Sequence, residues 1–201
     1  IGRNIGVKKA KYETLIFLDD DTVLIDNNTL FLISELSQKS IYGYSAIRYW
    51  TKLGWYEKNK HVIDDNMVNG LRDHYGIDYS LPDPSIRDKE NNRHLIRTYI
   101  GNFGFVNRNA FIEIGMWDSS YTGYGVEDDA AAFALFSAYG RPTLLTEIEV
   151  VHITHRISKA NLNELSLNRQ KFDYYLKSKG IKEFHVGRLL YCEPNVIEYV
   201  E

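Results

Sequence analysis

Apolar runs alternate with polar punctuation along this chain in a way that predicts alternating helices and strands. "RNIGVKKAKY" sets Ile5 and Ala10 among basic residues and reads as the closing turns of a helix. "TLIFLD" follows as a short strand, expected to be buried on both faces, so the chain enters an α/β sheet. After three acids, "NNTLFLISELSQ" carries Leu30, Ile33 and Leu36 at helical spacing behind Asn and Thr capping candidates, which predicts a second helix. Asp19, Asp20 and Asp21 therefore fall at the C-terminal end of a strand, where open α/β sheets place their ligands. From about Ile41 to Arg97 the periodicity is lost, and the segment is rich in turn formers, charges and Tyr. A long irregular insertion of this kind is usually functional or disordered. "LIRTYIGNFGFVNRNAFIEIG" returns to strand and short helix, and "VEDDAAAFALFSAYG" is a strong helix with Gly140 beyond its end. "RPTLLTEIEVVHITH" predicts two short strands and "LNELSLNRQKFDYYLKSKG" a closing helix, with no internal repeat or low-complexity linker anywhere.

Composition narrows the class. A chain of 201 residues, 44% hydrophobic and 25% charged, is long enough for one domain with a core and ordinary for a soluble protein. A formal charge of -3 gives no general attraction to nucleic acid or an anionic membrane. The single cysteine, Cys192, excludes an internal disulfide framework, and no apolar stretch approaches the roughly 20 residues that cross a bilayer. The expectation is a cytoplasmic protein with no membrane segment in this chain. Because the sequence opens at Ile1 in what reads as the middle of a helix, it is expected to belong to a longer protein. Tyrosine is abundant at 15 residues, beside three Trp and nine Phe, and such rings suit wet interfaces and sugar faces.

Three stretches carry chemistry. The first, Asp19-Asp20-Asp21, crowds like charges that raise one another's pKa unless a cation sits among them. Acids after a strand are also ordinary turn and capping residues. An EF-hand is excluded, because the sixth position from Asp19 is Leu24 rather than Gly and the twelfth is Leu30 rather than Glu. What survives beside the capping alternative is a divalent ion held by oxygen ligands, some of them from a phosphate substrate. The second stretch is "GYGVEDD", Gly123 to Asp129. Its acids suit the positive end of a helix dipole, and a carboxylate kept ionised there can also serve as a general base, with glycines letting a substrate approach. The third is "VVHITH", with His152 and His155. A strand sends residues three apart to opposite faces, so either the strand ends near His152 and the chain curls, or only one histidine binds an ion.

In this order, the three stretches resemble nucleotide-sugar glycosyltransferases of the GT-A fold, especially family 2 and the catalytic region of the β-1,4-galactosyltransferases. Arg3, Asn4 and Gly6 match an Arg-Asn-x-Gly that precedes the first strand, and Asp19 and Asp21 match the D-x-D motif. Gly123 to Asp129 match a Gly-aromatic-Gly-x-Glu-Asp-Asp stretch, while His152 and His155 fall on a Met-x-x-His ligand pair. His stands for Met at position 152, and the retaining polypeptide GalNAc-transferases are similar in using a metal histidine in this region. The Glu127-Asp128 pair resembles the inverting class.

The resemblance implies an α/β, Rossmann-like GT-A fold without its N-terminal strands, the whole chain forming one catalytic portion. It implies a UDP-sugar donor, a glycan or other hydroxyl acceptor, and Mn²⁺ or Mg²⁺ held by Asp21, His155 and His152. Asp128 would be the base and Glu127 would orient the acceptor. Asp19 and Asp20 would face the donor, with Arg3 and Asn4 on its nucleotide or phosphates. Tyr124 and Gly125 would meet the acceptor. The 41–97 insertion is expected to line the acceptor side, with Trp50, Trp55 and Tyr56 as sugar-facing rings. Two other classes compete. A non-catalytic carbohydrate-binding or scaffolding domain has no need for both a metal site and a base. A metal-dependent hydrolase needs more protein ligands or a second metal, and no further His/Asp cluster supplies them.

Overall fold

The computed structural model describes residues 2–50, 66, 69, 95–96, 103–140, 142–153, 158–179, 189–193 and 196–199. Among the described residues the helical elements are α1 (Gly2–Lys9), α2 (Thr29–Ser37), α3 (Arg108–Glu113), α4 (Glu127–Tyr139) and α5 (Lys159–Ser178). The strands are β1 (Thr14–Leu18), β2 (Thr22–Leu24), β3 (Tyr42–Trp50), β4 (Leu95–Ile96), β5 (Phe103–Asn107), β6 (Thr143–His152), β7 (Leu189–Glu193) and β8 (Val196–Tyr199). A five-stranded sheet runs β1-β5-β3-β6-β2, with β3 and β6 parallel and the other pairs antiparallel. A second sheet, β4-β7-β8, is antiparallel.

The order has a geometric consequence. Chain from Leu18 to Thr22 reaches at most about 14 Å, whereas four strand spacings across a flat sheet come to about 19 Å. The sheet must therefore curl, and its longest strands do the bending. Tyr42–Tyr44 at the start of β3 pair with both β5 and β6, while Arg48–Trp50 at its end face Val150–His152 of β6, whose other side holds β2. Between them the register slips: Ser45 faces Leu145 but Ile47 faces Glu149, so β6 carries the extra residues of a bulge.

Helix α2 covers one face of the sheet, where Ile33 packs with Phe103, Phe105, Leu145, Ile148 and Val150. The opposite face takes α1, α3 and α4, joined through Val7, Leu15, Tyr42, Val106, Phe111, Trp117, Ala131, Ala132 and Leu135. A third cluster, Val126, Phe133, Phe172 and Leu176, fastens α5 to α4. Helix α3 starts on an Asn107 cap whose side chain accepts from Asn109 N and Ala110 N, a contact worth about 1 kcal/mol. Among the described residues no helix is long and apolar enough to cross a membrane.

Four expectations change. Strand β1 lies at the sheet edge rather than buried on both faces: Leu15 is in the core, but Ile16 and Leu18 are 39% and 49% exposed because α2 sits over β5 and β6 instead. In α2 the inward face is Ile33 with Leu32 and Leu36, and Leu30 points outward. The segment between Thr143 and His152 is one bulged strand instead of two. The first residues of the supposedly irregular insertion form β3, near the middle of the sheet, where Gly43 is obligatory for a close approach: a Cβ there would meet the Thr143 carbonyl at 2.5 Å and the Phe105 ring.

Candidate active site

The acidic loop is placed by backbone pairing. It turns on a Thr22 N to Asp19 O bond of 3.1 Å, and the chain then enters β2 with Thr22 opposite His152. Ile153 N donates to Asp21 O at 2.7 Å, extending that pairing past the end of β6. The side chains follow the backbone, and Asp21 Oδ1 lies 3.4 Å from His152 Nε2. An oxygen and an imidazole nitrogen at this separation match two adjacent ligands, each about 2.0–2.2 Å from one divalent ion. Strand β6 ends at His152. His155 itself lies outside the described residues, and among the described residues no group of three His, Cys, Asp or Glu could hold a metal ion. Trp50 is opposite His152 in the β3–β6 register, which brings its backbone to the same end of the sheet. Trp55 and Tyr56 also lie outside the described residues.

The second half of the site is built from side chains. Ahead of α4, Gly123, Gly125 and Val126 adopt φ of 77°, 83° and 76°. A β-branched residue in the left-handed region is strained, and Val126 is held there by burial against Phe133 and Phe172. The sharp turn sends Glu127, Asp128 and Asp129 into the first turn of α4, where the helix dipole favours carboxylates. Asp128 Oδ1 accepts from Trp117 Nε1 at 2.9 Å and from Arg3 Nη1 at 2.8 Å. No hydrogen bond among the described residues reaches its Oδ2. Arg3 also forms ion pairs with Glu127 at 3.5 Å and with Asp19 at 3.6 Å, and its guanidinium lies 5.2 Å from the centre of the Trp117 ring. One cation from α1 thus ties the acidic loop to the start of α4.

Burial is the main reason the Glu127 carboxyl is held above its ordinary value. The Asp128 charge adds to this and Arg3 opposes it. The Tyr124 phenol is likewise pushed up, first by burial and then by the charges of Glu127, Asp21 and Asp19. Tyr124 therefore stands within the field of both groups of carboxylates.

Of the residues singled out in the sequence, Arg3, Asp19, Asp21, Tyr124, Glu127, Asp128 and His152 meet at one end of the sheet. Asn4 does something more local. Its amide donates to Trp117 O at 2.7 Å and accepts from Trp117 N at 3.2 Å, which fixes the Trp117 backbone against α1. The sequence reading missed two residues. Trp117 stacks edge-on with Phe17 and Phe111, at centroid distances of 4.4 and 4.7 Å, and aims its indole N–H at Asp128. Asn168, on α5, donates to the carbonyls of Thr122, Tyr124 and Gly125 at 3.0, 3.2 and 3.0 Å. The available signal for Asn168 was a polar residue on the apolar stripe of Leu165, Phe172 and Leu176.

The architecture is a mixed α/β, GT-A-like fold. The fold is similar to that of, among others, GalNAc-T7, solved with UDP, GalNAc and Mn²⁺, with a TM-score of 0.51 and 18% identity over 89% of this chain. The chain spans 36% of the length of that protein. No protein-family profile and no curated protein sequence matches the chain. The likeness supports the GT-A fold and singles out neither family 2 nor the β-1,4-galactosyltransferases.

Proposed function

We propose that this chain is the catalytic portion of a divalent-metal-dependent glycosyltransferase that moves a sugar, with inversion, from a UDP-sugar to an acceptor hydroxyl. The observation that carries the reading is the Arg3 bridge, which joins Asp19 of a loop whose Asp21 faces His152 to the Glu127-Asp128 pair. A donor-phosphate site and a base in one cleft is what transfer requires. The neighbour of similar fold was solved with UDP, GalNAc and Mn²⁺, which is consistent with such a donor.

The oxygen and nitrogen donors of Asp21 and His152 fit Mn²⁺ or Mg²⁺, and His155 follows at the right place in the chain to complete the set. When bound, the ion supplies positive charge that steadies a diphosphate leaving group. Asp19 and Asp20 face the donor. Arg3 is 40% exposed and can re-pair with a diphosphate, which frees Asp128 from its strongest cationic partner. Asp128 then takes the acceptor proton on Oδ2, because Oδ1 stays anchored by the Trp117 N–H. Glu127 orients the acceptor, and Tyr124 beside Gly125 offers a ring to a sugar face, with Trp50 and Trp55 completing the acceptor side. Asn4 contributes through Trp117 rather than by touching the donor.

Calorimetry with UDP and a panel of UDP-sugars, with Mn²⁺ and again with EDTA, tests the donor half of this reading. Binding that appears with Mn²⁺ and disappears with EDTA is expected. Absence of nucleotide binding under both conditions would remove the assignment.

A further inference from the structure

We infer that Asn168 is a positioning residue for the acceptor side of the site, acting through the Gly123-Tyr124-Gly125 turn; the inference rests on the transferase reading above. Asn168 is 6% exposed, and its amide nitrogen faces three carbonyls of consecutive or neighbouring residues, Thr122, Tyr124 and Gly125. Two N–H groups serve three acceptors, so one bond is shared, and three carbonyls identify the nitrogen rather than the oxygen as the end that faces them. A neutral amide is suited to this place. An apolar residue would supply no donor, and an ionised carboxylate would repel all three carbonyl dipoles.

The same turn is pressed onto α5 at two further points. A Cβ at Gly123 would run into the Glu164 carboxylate and one at Gly125 into the Leu165 side chain. Both glycines also have positive φ, so the turn fits its support only as glycine. Helix α5 is itself anchored behind α4 by Phe172 and Leu176 and capped by Ser158, whose side chain accepts from Asn161 N at 3.1 Å. The turn therefore takes its position from α5 and hands it on: the Tyr124 carbonyl is itself one of the three bonded, and Glu127 and Asp128 follow after Val126. A displacement on the order of 1 Å at such a position is enough to cost about 10²-fold in rate.

Asn168→Asp keeps the side-chain shape and reverses its polarity. With this variant, kcat per folded molecule should fall by about 10-fold or more, the acceptor KM should rise, and calorimetric affinity for UDP with Mn²⁺ should stay as in the wild type. Amide hydrogen exchange should accelerate at residues 123–128 while the sheet and the C-terminal half of α5 keep their protection. A lower Tm with unchanged kcat, KM and turn exchange would overturn the inference, since that is what a purely structural asparagine does. If Asn168→Asp does not fold, Gly125→Ala, which pushes the turn off Leu165 from the opposite side, should produce the same pattern, and wild-type kinetics and exchange in that variant would equally overturn it. The exchange readout does not need turnover. A wild type without acceptor-dependent transfer contradicts the reaction, whereas unchanged exchange at the turn contradicts the role of Asn168.

Discussion

Asp21 and His152 are brought together by backbone pairing between β2 and β6, whereas Glu127 and Asp128 are held by side chains from α1, the segment before α4, and α5. The two groups therefore differ in what can disturb them. A ladder shared by several residues tolerates the loss of any one side chain, so the proposed metal side should respond only to its own ligands. The proposed base side rests on a few directed bonds, among them one indole N–H and one guanidinium, and single substitutions there should act at a distance.

The largest effect expected from this contrast is at Asp128. Asp128→Asn retains size and most hydrogen bonding while removing the proton-accepting charge, so turnover should fall by about 10²-fold or more with Mn²⁺ affinity little changed. A residue that merely caps α4 would behave differently, because Asn caps almost as well as Asp. Steady-state kinetics beside a Mn²⁺ titration separates the two.

Asp21→Asn should show the reverse pattern, weakening Mn²⁺ and UDP together by more than the roughly 10- to 100-fold that loss of an outer-shell partner costs. Chelation of the wild type should reproduce it. If the variant binds Mn²⁺ as the wild type does, the loop is a turn and nothing more.

A smaller loss is expected at Trp117. Trp117→Phe keeps an aromatic ring between Phe17 and Phe111 but removes the N–H donated to Asp128, leaving that carboxylate tied to Arg3 alone. Turnover should drop by about 10-fold, corresponding to about 1.4 kcal/mol for a lost bond to a charged group. Donor affinity should hold. A matching loss of UDP affinity would mean that Trp117 supports the donor side instead.

The mildest effect is one of pH on stability. Burial keeps the folded Glu127 carboxyl above its ordinary value of 4.5, so the folded state favours the protonated form. Its contribution is fully present below the ordinary glutamate value and is lost as pH rises through the raised one. Glu127→Gln, which cannot ionise, should escape that loss. Its Tm should gain on the wild type as pH rises through that window. Parallel melting curves across pH for the two proteins would contradict the burial assigned to Glu127.

The same contrast explains how much could be read in advance. The acids after β1 and the start of α4 were both legible, because each is a local pattern: charges closing an apolar run, or acids opening an apolar helix. Strand β3 was hidden by its own composition. "YGYSAIRYW" has tyrosines and a glycine where a buried strand usually carries aliphatic residues, and Gly43 is there for a neighbour that comes a hundred residues later, at Thr143. Strand β6 was divided in two by residues that form its bulge. The exposure of Ile16 and Leu18 depends on where α2 settles, which no local pattern states. Trp117 and Asn168 are tertiary in the same sense: an indole finds its carboxylate 11 residues away and an amide its carbonyls 43 to 46 residues away, and periodicity marks the faces without naming the partners.

The central claim, that the two halves of the cleft serve one transfer reaction, is tested most directly by UDP release. The protein would be incubated with Mn²⁺ and a panel of UDP-sugars, with and without hydroxyl-bearing acceptor glycans. The account predicts release of UDP that requires both the ion and an acceptor and that matches the amount of glycosylated product. Release that is equal without any acceptor, with free sugar as the product, would contradict it and make the protein a hydrolase.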